Sequence, residues 1–487
     1  MTARQINAPL ILRGQVIDRC DIEFGGRRDG LSFRAPDAAA HARELTLSAP
    51  SRMLDLHALS FEELVDYLFE LGQRLPLSKN PYIQEACEVS CQTSGLTEPI
   101  LRVHYEHLPQ VMFAREELRN VVRRSIGIEY LEGWVEQPPG MMPGIAARCR
   151  AFGARCVHII AGNSPIVAYM TVIRNALTRS DAIIKAPSND PLTAIAIART
   201  MVDMAPDHPV TKHLVAGYWK GGDARVEQAL YDPRRIEKII AWGGFASVRH
   251  ITQYLQPGID LITQDPKLSG TIIGKEAFAD EAALGQVARR LALDVGGANQ
   301  EGCVSARVVY VESGTDAPGI ERLNRLGALT FKALQGLPNT ISTPHPAFSE
   351  ALKDEIDGLR VMGNEFRIYG GRANEGAIIV SQEDEPVDFS PLLACRVANL
   401  VPIDDIETAV KSVNAYTQTI GIYPEALKTQ LRDRLACQGG QRLVSLGGAA
   451  TGQHSFERQD AIESVRRMVK WVVEETSDGA ALAAMAG

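Results

Sequence analysis

The feature that most constrains the fold is a run of short apolar segments that alternate with helical segments between about residues 155 and 265. Predicted strands lie at 156–161, 182–185, 214–219, 238–242 and 259–262. A helix that connects two strands in this way makes a right-handed crossover and leaves the strands parallel. The alternation therefore predicts an α/β fold with a doubly wound parallel sheet, which binds ligands at the carboxyl ends of its strands.

The composition excludes several classes of function. The 487 residues are 45% hydrophobic and 23% charged, as in globular proteins with large cores. A net charge of −8 and basic runs no longer than pairs argue against a nucleic-acid-binding surface. The N-terminal apolar patch breaks at Arg13, and no apolar stretch reaches the roughly 18 residues of a membrane span, so we expect neither a leader nor a span.

The cysteines and histidines show no metal-binding or disulfide pattern. The eight cysteines include no C-x-x-C pair and do not cluster with the ten histidines, and no H-E-x-x-H segment occurs. This pattern argues against a disulfide scaffold or a zinc site. The sequence therefore predicts a cytoplasmic protein that needs no metal.

Three of the predicted strand ends carry groups that suit a ligand. Asn163 follows the first strand and offers an amide, although an asparagine in such a turn is more often a helix cap. Lys185 ends the second strand, either as a cation for ribose or phosphate oxygens or as a solvated terminus. Gly243 and Gly244 follow a later strand, where they either admit a phosphate to the next helix N-terminus or form an ordinary turn.

Cys303 is a candidate nucleophile. It stands after Gly302 and directly before an apolar strand at 308–311. A thiol at such a turn can meet backbone N–H groups, which a thioester-forming nucleophile needs to stabilise the tetrahedral oxyanion. Most free cysteines are instead small buried hydrophobic residues, so the thiol alone does not decide between the two interpretations.

The order of these motifs along the chain is more specific than any one of them. The motifs together resemble those of the aldehyde dehydrogenase superfamily, in the order Asn163, Lys185, Gly243-Gly244 and Cys303-x-x-x-Arg307. The residues within and around these motifs are most similar to those of the LuxC-type acyl-CoA reductases. The resemblance spans about residues 50–475. Further segments that carry it lie at 158–165, 185–191, 207–211, 240–244, 257–259 and 389–392.

The resemblance implies a catalytic role for Cys303 and Asn163. Cys303 matches the nucleophile, and Asn163 matches a donor to the oxyanion that acts alongside the backbone N–H of Cys303. The hydrolytic members carry a glutamate that activates water, but the matching region here contains Thr263, Gln264 and Asp265. Only Asp265 could serve as a carboxylate base, and the lack of the glutamate suits a reductase whose acyl-enzyme must not be hydrolysed.

The resemblance also implies where a cofactor binds. Lys185 matches the lysine that holds the adenosine ribose, and Gly243 and Gly244 match the turn beneath the pyrophosphate. Phe389 opens a segment similar to the F-G-P motif, with serine in place of glycine and with Pro-Val-Asp where a glutamate is expected before it. Ser188 falls where NAD-preferring relatives often carry a glutamate, and a neutral hydroxyl does not repel a 2′-phosphate, so NADP(H) is the expected cofactor.

The function that the resemblance implies is NADPH-dependent reduction of a fatty acyl thioester, either acyl-CoA or acyl-carrier, to the aldehyde through a Cys303 acyl-enzyme. A CoA-acylating aldehyde dehydrogenase that oxidises a small aldehyde remains an alternative, because the same residues serve both directions. A non-catalytic subunit that binds acyl groups or a partner enzyme is a third interpretation. An acyl-activating ligase partner is implied by resemblance alone, and a homo-oligomer is expected.

The fold class implied is aldehyde-dehydrogenase-like α/β, with a doubly wound parallel-sheet cofactor domain and a second α/β catalytic domain. We predict an N-terminal mixed or helical region at 1–135 that packs on the cofactor domain, the core of the cofactor-binding domain at 136–267, the catalytic domain with Cys303 at 268–440, and a C-terminal return segment and tail at 441–487. In the first region one clear helix begins after Ser60, where Glu63 completes a capping box. The alanine-rich tail after Ser477 is expected to fray.

Overall fold

The computed structural model describes residues 6–25, 31–140, 144–264, 267–450, 458–477 and 479. The chain forms two compact units, and each is described by itself. Unit 1 comprises Met1–Thr93, His104–Asp265 and Phe456–Gly487, and unit 2 comprises Ser94–Val103 and Pro266–Ser455. None of the helices in the described part of the chain combines the length and the apolar character that crossing a bilayer requires.

The N-terminal part of the chain consists of short strands followed by helices. The strands are β1 (Ile6–Asn7), β2 (Leu10–Leu12), β3 (Gln15–Ile17), β4 (Ile22–Phe24) and β5 (Phe33–Ala35). The helices are α1 (Ala42–Leu45), α2 (Leu54–Ala58), α3 (Phe61–Arg74), α4 (Pro81–Thr93), α5 (Glu98–Met112), α6 (Arg115–Ser125) and α7 (Ile128–Glu132). Strands β1, β5 and β4 form a small sheet in that order.

The prediction for this mixed or helical region named α3 but none of the helices that follow it. Ser60 and Glu63 form the predicted capping box, with the Ser60 N–H donating to Glu63 Oε2 at 2.7 Å. Helices α4, α5 and α6 were not predicted. The buried face of α4 includes Ala86, Cys87 and Ser90, and such small residues leave a weak apolar periodicity.

The predicted parallel sheet is present in unit 1. The chain continues through β6 (Val135–Glu136), β7 (Ile145–Gly153), β8 (Arg155–Ile159), α8 (Ile166–Leu177), β9 (Asp181–Lys185), α9 (Thr193–Met204), α10 (Pro209–Lys212), β10 (Leu214–Gly217), α11 (Ala224–Leu230), β11 (Lys238–Trp242), α12 (Phe245–Thr252) and β12 (Asp260–Gln264). The strand order is β12-β11-β8-β9-β10-β2-β3, in which the first five strands are parallel. Val157, Ile183, Val215 and Ile239 from four of these strands share one core.

Two details of this sheet differ from the prediction. Strand β2 pairs antiparallel with β10, and β3 with β2, so an N-terminal hairpin extends the sheet. The segment Asn189-Asp190-Pro191 predicts a cap at Asn189 or Asp190 and a helix that begins at Pro191, whereas helix α9 begins at Thr193. The reason is that Asp190 Oδ1 accepts the Thr193 N–H at 3.1 Å, which places Pro191 in the turn before the helix.

Unit 2 contains the second predicted α/β alternation. Its elements are β13 (Leu268–Ile273), α13 (Glu281–Gly296), β14 (Ala306–Val311), α14 (Ala317–Gln335), α15 (Glu350–Val361), β15 (Phe366–Gly370), β16 (Ala377–Ser381), β17 (Val397–Pro402), α16 (Ile406–Ser412), β18 (Thr417–Tyr423), α17 (Glu425–Gln438) and β19 (Arg442–Ser445). The strand order is β15-β16-β17-β14-β13-β18-β19, with β15 antiparallel and the others parallel. Strand β14, which follows Cys303, lies in the middle of the sheet.

The chain then returns to unit 1 through α18 (Ser464–Met468) and β20 (Val469–Ser477). Strand β20 pairs antiparallel with β7, which also pairs with β6. The predicted segment 441–487 is thus shared between the two units. Asp265 and most of the tail after Ser477 lie outside the described residues.

Candidate active site

Lys185 lies at the carboxyl end of β9 in unit 1, beside two aromatic rings. Its Nζ is 5.5 Å from the ring centroid of Tyr218 and 5.9 Å from that of Trp219. Burial lowers the pKa of Lys185 to about 8, and the charge of Glu227 opposes this shift. Because the surrounding protein solvates the ammonium group poorly, an anionic ligand at this position would stabilise its charge.

Glu227 in α11 is a buried carboxylate that sequence reasoning missed. It accepts hydrogen bonds from the Gly222 N–H at 2.9 Å and from the Tyr254 hydroxyl at 2.8 Å. His250 Nε2 lies 2.8 Å from Glu227 Oε2. These contacts hold a negative charge where it acts on Lys185. An isolated glutamate in a helical pattern resembles a solvated residue, so the sequence offered no signal for this role.

The other residues predicted at this edge occupy turns after adjacent strands. The order β11-β8-β9 places Gly243, Asn163 and Lys185 after three neighbouring parallel strands, as the doubly wound rule predicts. Ser188 is half-buried in the turn after β9. In the same turn Asn189 Nδ2 donates to the Gly162 carbonyl at 3.0 Å, which ties this turn to the one that contains Asn163.

The turn at Gly243 and Gly244 is open to a ligand. A Cβ built on Gly244 would meet nothing within 4 Å, and one on Gly243 would lie 3.1 Å from Ser247 Cβ. Helix α12 begins directly after Gly244. The backbone here can therefore approach a large anionic group at the N-terminus of a helix.

In unit 2, Cys303 is half-buried in a turn directly before β14. The three residues Ala298, Asn299 and Gln300 have φ angles of 48°, 53° and 64°. A left-handed conformation costs about 1–2 kcal/mol for each non-glycine residue, so the surroundings must hold this backbone in place. The hydroxyl of Ser269 in β13 donates to the Cys303 carbonyl at 2.6 Å, which anchors the turn from the neighbouring strand.

Two buried amide side chains hold the strained residues. Asn299 Nδ2 donates to Thr343 Oγ1 at 3.1 Å, and Asn299 Oδ1 accepts the Thr343 N–H at 2.8 Å. Gln300 Nε2 donates to the carbonyls of Ala306 and Val397 at 2.7 and 2.9 Å, and Gln300 Oε1 accepts the Val397 N–H at 2.9 Å. The turn that contains Cys303 is therefore fixed to both β14 and β17.

A negative charge on the Cys303 sulfur raises the pKa of two arginines. Arg307 Nε donates to the Leu393 carbonyl at 2.8 Å, and burial lowers the pKa of Arg307 while Cys303 acts in the opposite direction. Burial also lowers the pKa of Arg442, with Asp294 and Cys303 opposing it. Nearby guanidinium charges favour the thiolate over the thiol. The sequence pointed to Arg307 through the Cys-x-x-x-Arg spacing but not to Arg442.

A second cluster, formed by Glu301, His345 and Cys395, lies beside this turn. His345 Nε2 is 2.8 Å from Glu301 Oε1, and the side chain of Cys395 also bonds to the His345 ring. Burial lowers the pKa of His345, but these hydrogen bonds outweigh it and raise the pKa to about 9. Nothing in the sequence pointed to His345 or Cys395, because both are far from Cys303 along the chain.

Two further positions that the sequence singled out, Gln264 and Phe389, are buried in the protein. Gln264 is buried, and its Nε2 donates to Ser464 Oγ at 2.8 Å, so it is committed to packing in unit 1. Phe389 is buried in an apolar cluster with Phe348 and Leu393. Through the Leu393 carbonyl this segment contacts Arg307, so unit 2 brings the Phe389 segment to the strand that follows Cys303. The cofactor contact of Phe389 stays a prediction.

Comparisons with known proteins agree with this arrangement. The family model described as acyl-CoA reductase (LuxC) matches residues 56–471. A long-chain acyl-protein thioester reductase of Aliivibrio fischeri is 26% identical over 443 residues, which are 89% of this chain and 86% of that protein.

Solved structures show the same fold. Aldehyde dehydrogenase 21 of Physcomitrella patens, in complex with succinate, has a TM-score of 0.72 at 14% identity over 98% of this chain and 99% of that one. The NADP-dependent glyceraldehyde-3-phosphate dehydrogenase of Bacillus halodurans C-125, complexed with NADP, has a TM-score of 0.70 at 14% identity over 97% and 100%. The predicted aldehyde-dehydrogenase-like α/β fold is confirmed.

Proposed function

This chain belongs to the acyl-CoA reductase (LuxC) family of oxidoreductases, and we propose that it reduces a fatty acyl thioester to the aldehyde with NADPH, through an acyl-enzyme on Cys303. The observation that carries the proposal is the Cys303 turn. A half-buried thiol stands in the turn before a central strand, and a negative charge on its sulfur is coupled to both Arg307 and Arg442. This environment supports a thiolate that can attack a thioester carbon.

The carboxyl edge of the unit 1 sheet has groups that fit a nicotinamide dinucleotide. The open backbone at Gly244 and the N-terminus of α12 suit a pyrophosphate, and Lys185 suits ribose or phosphate oxygens. The hydroxyl of Ser188 is neutral and therefore does not repel the 2′-phosphate of NADP. When bound, the reduced cofactor would supply the hydride that, together with a proton from solvent, turns the Cys303 thioester into a thiohemiacetal.

The protein's own residues account for the acyl transfer. The Cys303 sulfur forms a bond to the acyl carbon as the bond to the donor thiol breaks, and the Cys303 proton leaves with that thiol. The backbone N–H of Cys303, held in place by the bond from Ser269 to the Cys303 carbonyl, donates to the tetrahedral oxyanion. We assign Asn163 the second donor. Collapse of the thiohemiacetal then releases the aldehyde and returns the Cys303 thiol.

The acyl donor and the partners are part of the same proposal. The Aliivibrio fischeri relative is named for a long-chain acyl-protein thioester, so we extend a long acyl group to this chain, carried by CoA or by a protein. An enzyme that forms such a thioester, an acyl-activating ligase, is the partner that this chemistry requires. We propose that the protein acts as a homo-oligomer.

Replacing Cys303 tests the acyl-enzyme. Wild type mixed with a series of acyl-CoAs should gain the mass of one acyl group, and with NADPH it should release aldehyde. Cys303→Ala should gain no acyl mass, and aldehyde formation should fall by about 10³-fold or more because the nucleophile is lost. Cys437→Ala, at an exposed cysteine, is the matched control. Undiminished turnover by Cys303→Ala would falsify the proposal.

Replacing Ser188 tests the cofactor choice separately. We expect wild type to prefer NADPH in the ratio of specificity constants. Ser188→Glu should reverse or reduce that preference, since two unit charges about 4 Å apart in partly shielded surroundings repel by up to about 4 kcal/mol. Ser188→Gln, which is of similar size but neutral, should keep the preference. An unchanged ratio in Ser188→Glu would show that other groups select the cofactor.

A further inference from the structure

Glu301 is a carboxyl group two residues before Cys303. The charges of Glu301 and of a Cys303 thiolate both oppose the fall in the pKa of Arg307 that burial causes, so both groups are coupled to the same cation. A carboxylate beside a thioester can take a proton from an attacking water. The water oxygen would then bond to the acyl carbon and the carbon–sulfur bond would break, which would release a fatty acid instead of an aldehyde.

The His345 side chain forms a hydrogen bond with the Glu301 carboxylate. Its Nε2 lies 2.8 Å from Glu301 Oε1, and a proton on Nε2 is donated to this carboxylate. The Ala347 N–H donates to Nδ1 at 3.1 Å, so the ring orientation is also set from its other nitrogen. The His345 side chain is 3% exposed and that of Glu301 27%.

The segment Ser94–Val103 of unit 2 packs onto this pair. A Cβ at Gly95 would collide with the Glu301 carboxylate and with His345 Nε2, so only glycine permits this close approach. The Gly95 carbonyl accepts a hydrogen bond from Asn299 Nδ2 at 3.0 Å, and Thr97 Oγ1 lies 2.8 Å from Thr343 Oγ1. The carboxylate is therefore held between the ring and this segment.

We propose that His345 keeps Glu301 from acting as a general base on the Cys303 acyl-enzyme, and so directs the acyl group to reduction rather than hydrolysis. This inference rests on the proposed function. His345 is a positioning residue that acts through Glu301, and its effect is on the fate of the acyl-enzyme. The glutamate that activates water in the hydrolytic family members is absent from this sequence. The hydrogen bond to His345 restrains Glu301, which is a second carboxylate that could act as a base.

The test measures how fast the acyl-enzyme loses its acyl group without NADPH. The full-length protein is loaded with acyl-CoA, excess is removed, and intact mass and free fatty acid are followed over time. His345→Leu should release fatty acid about 10²-fold faster than wild type, because the Glu301 carboxylate loses the hydrogen bond from the ring and can act as a general base. His345→Gln, which keeps a donor, should stay near the wild-type rate. His107→Leu, at an exposed position in α5, controls for the substitution itself.

The double variant Glu301→Gln/His345→Leu decides whether the carboxylate is responsible. It should return to the wild-type rate of hydrolysis. The inference is overturned if His345→Leu decays like wild type, if the double variant still hydrolyses fast, or if His345→Leu releases no CoA on mixing, since His345 would then serve acylation. A wild type that never gains acyl mass would instead count against the proposed function.

Discussion

Replacing Asn299 tests how the left-handed backbone before Cys303 is held. Asn299 is fully buried with φ 53°, and its side chain bonds to Gly95 and Thr343 through three hydrogen bonds of 2.8–3.1 Å. Asn299→Gly removes the bonds but suits the backbone. Asn299→Ala removes the same bonds and also places a Cβ where it is disfavoured.

The size of each effect follows from these contacts. Both variants leave the Thr343 N–H and the Gly95 carbonyl without their partner, and each unsatisfied buried group costs about 1–3 kcal/mol. Asn299→Gly should therefore lower the free energy of unfolding of unit 2 by about 2–6 kcal/mol. Asn299→Ala should lower the free energy of unfolding by about 1–2 kcal/mol more, because alanine disfavours the left-handed backbone.

Urea unfolding and hydrogen exchange at the Thr343 amide measure the two variants. Asn324 is the matched control, because it is a buried asparagine that bonds to Gln382 from within α14. At Asn324 the order should reverse, since glycine in a helix costs about 1 kcal/mol more than alanine. If Asn299→Gly is no more stable than Asn299→Ala, the backbone there is not under the strain that its φ angle indicates.

Two pH dependences follow from the other buried charges. Burial lowers the pKa of Lys185 to about 8, so this group loses its charge as pH rises through that value. The affinity for NADPH, measured by fluorescence titration, should therefore weaken above about pH 8. Lys185→Arg should remove this pH dependence, because arginine stays charged. Burial raises the pKa of Asp294 to about 6, although Gly447 and Ala449 N–H groups donate to it. A carboxyl group whose pKa is raised by folding destabilises the folded state. This loss of stability is absent at pH values below the ordinary pKa and complete at pH values above the raised pKa. Relative to Asp294→Asn, wild type should therefore lose about 3 kcal/mol between about pH 4 and pH 7, and a constant difference in urea unfolding would contradict this.

Local patterns in the sequence were enough for the parallel sheet and for much of the candidate site. The alternation between 155 and 265 predicted five parallel strands, and it placed Lys185 and Gly243 at one edge because neighbouring residues set the period of a strand or helix. The turn at Cys303 was visible for the same reason, since glycine and an apolar strand lie directly beside it. Where apolar periodicity was weak, as in α4, the prediction failed.

The sequence by itself determined the family, the order of the strands' motifs and the turn that contains Cys303, all of which depend on residues close together along the chain. Only the tertiary structure decided which distant residues serve that turn. Arg442 and His345 reach the surroundings of Cys303 from other elements of unit 2, and the N-terminal hairpin completes a sheet made mostly of later strands. Such contacts depend on how whole elements pack, and a single sequence carries no local period that records them.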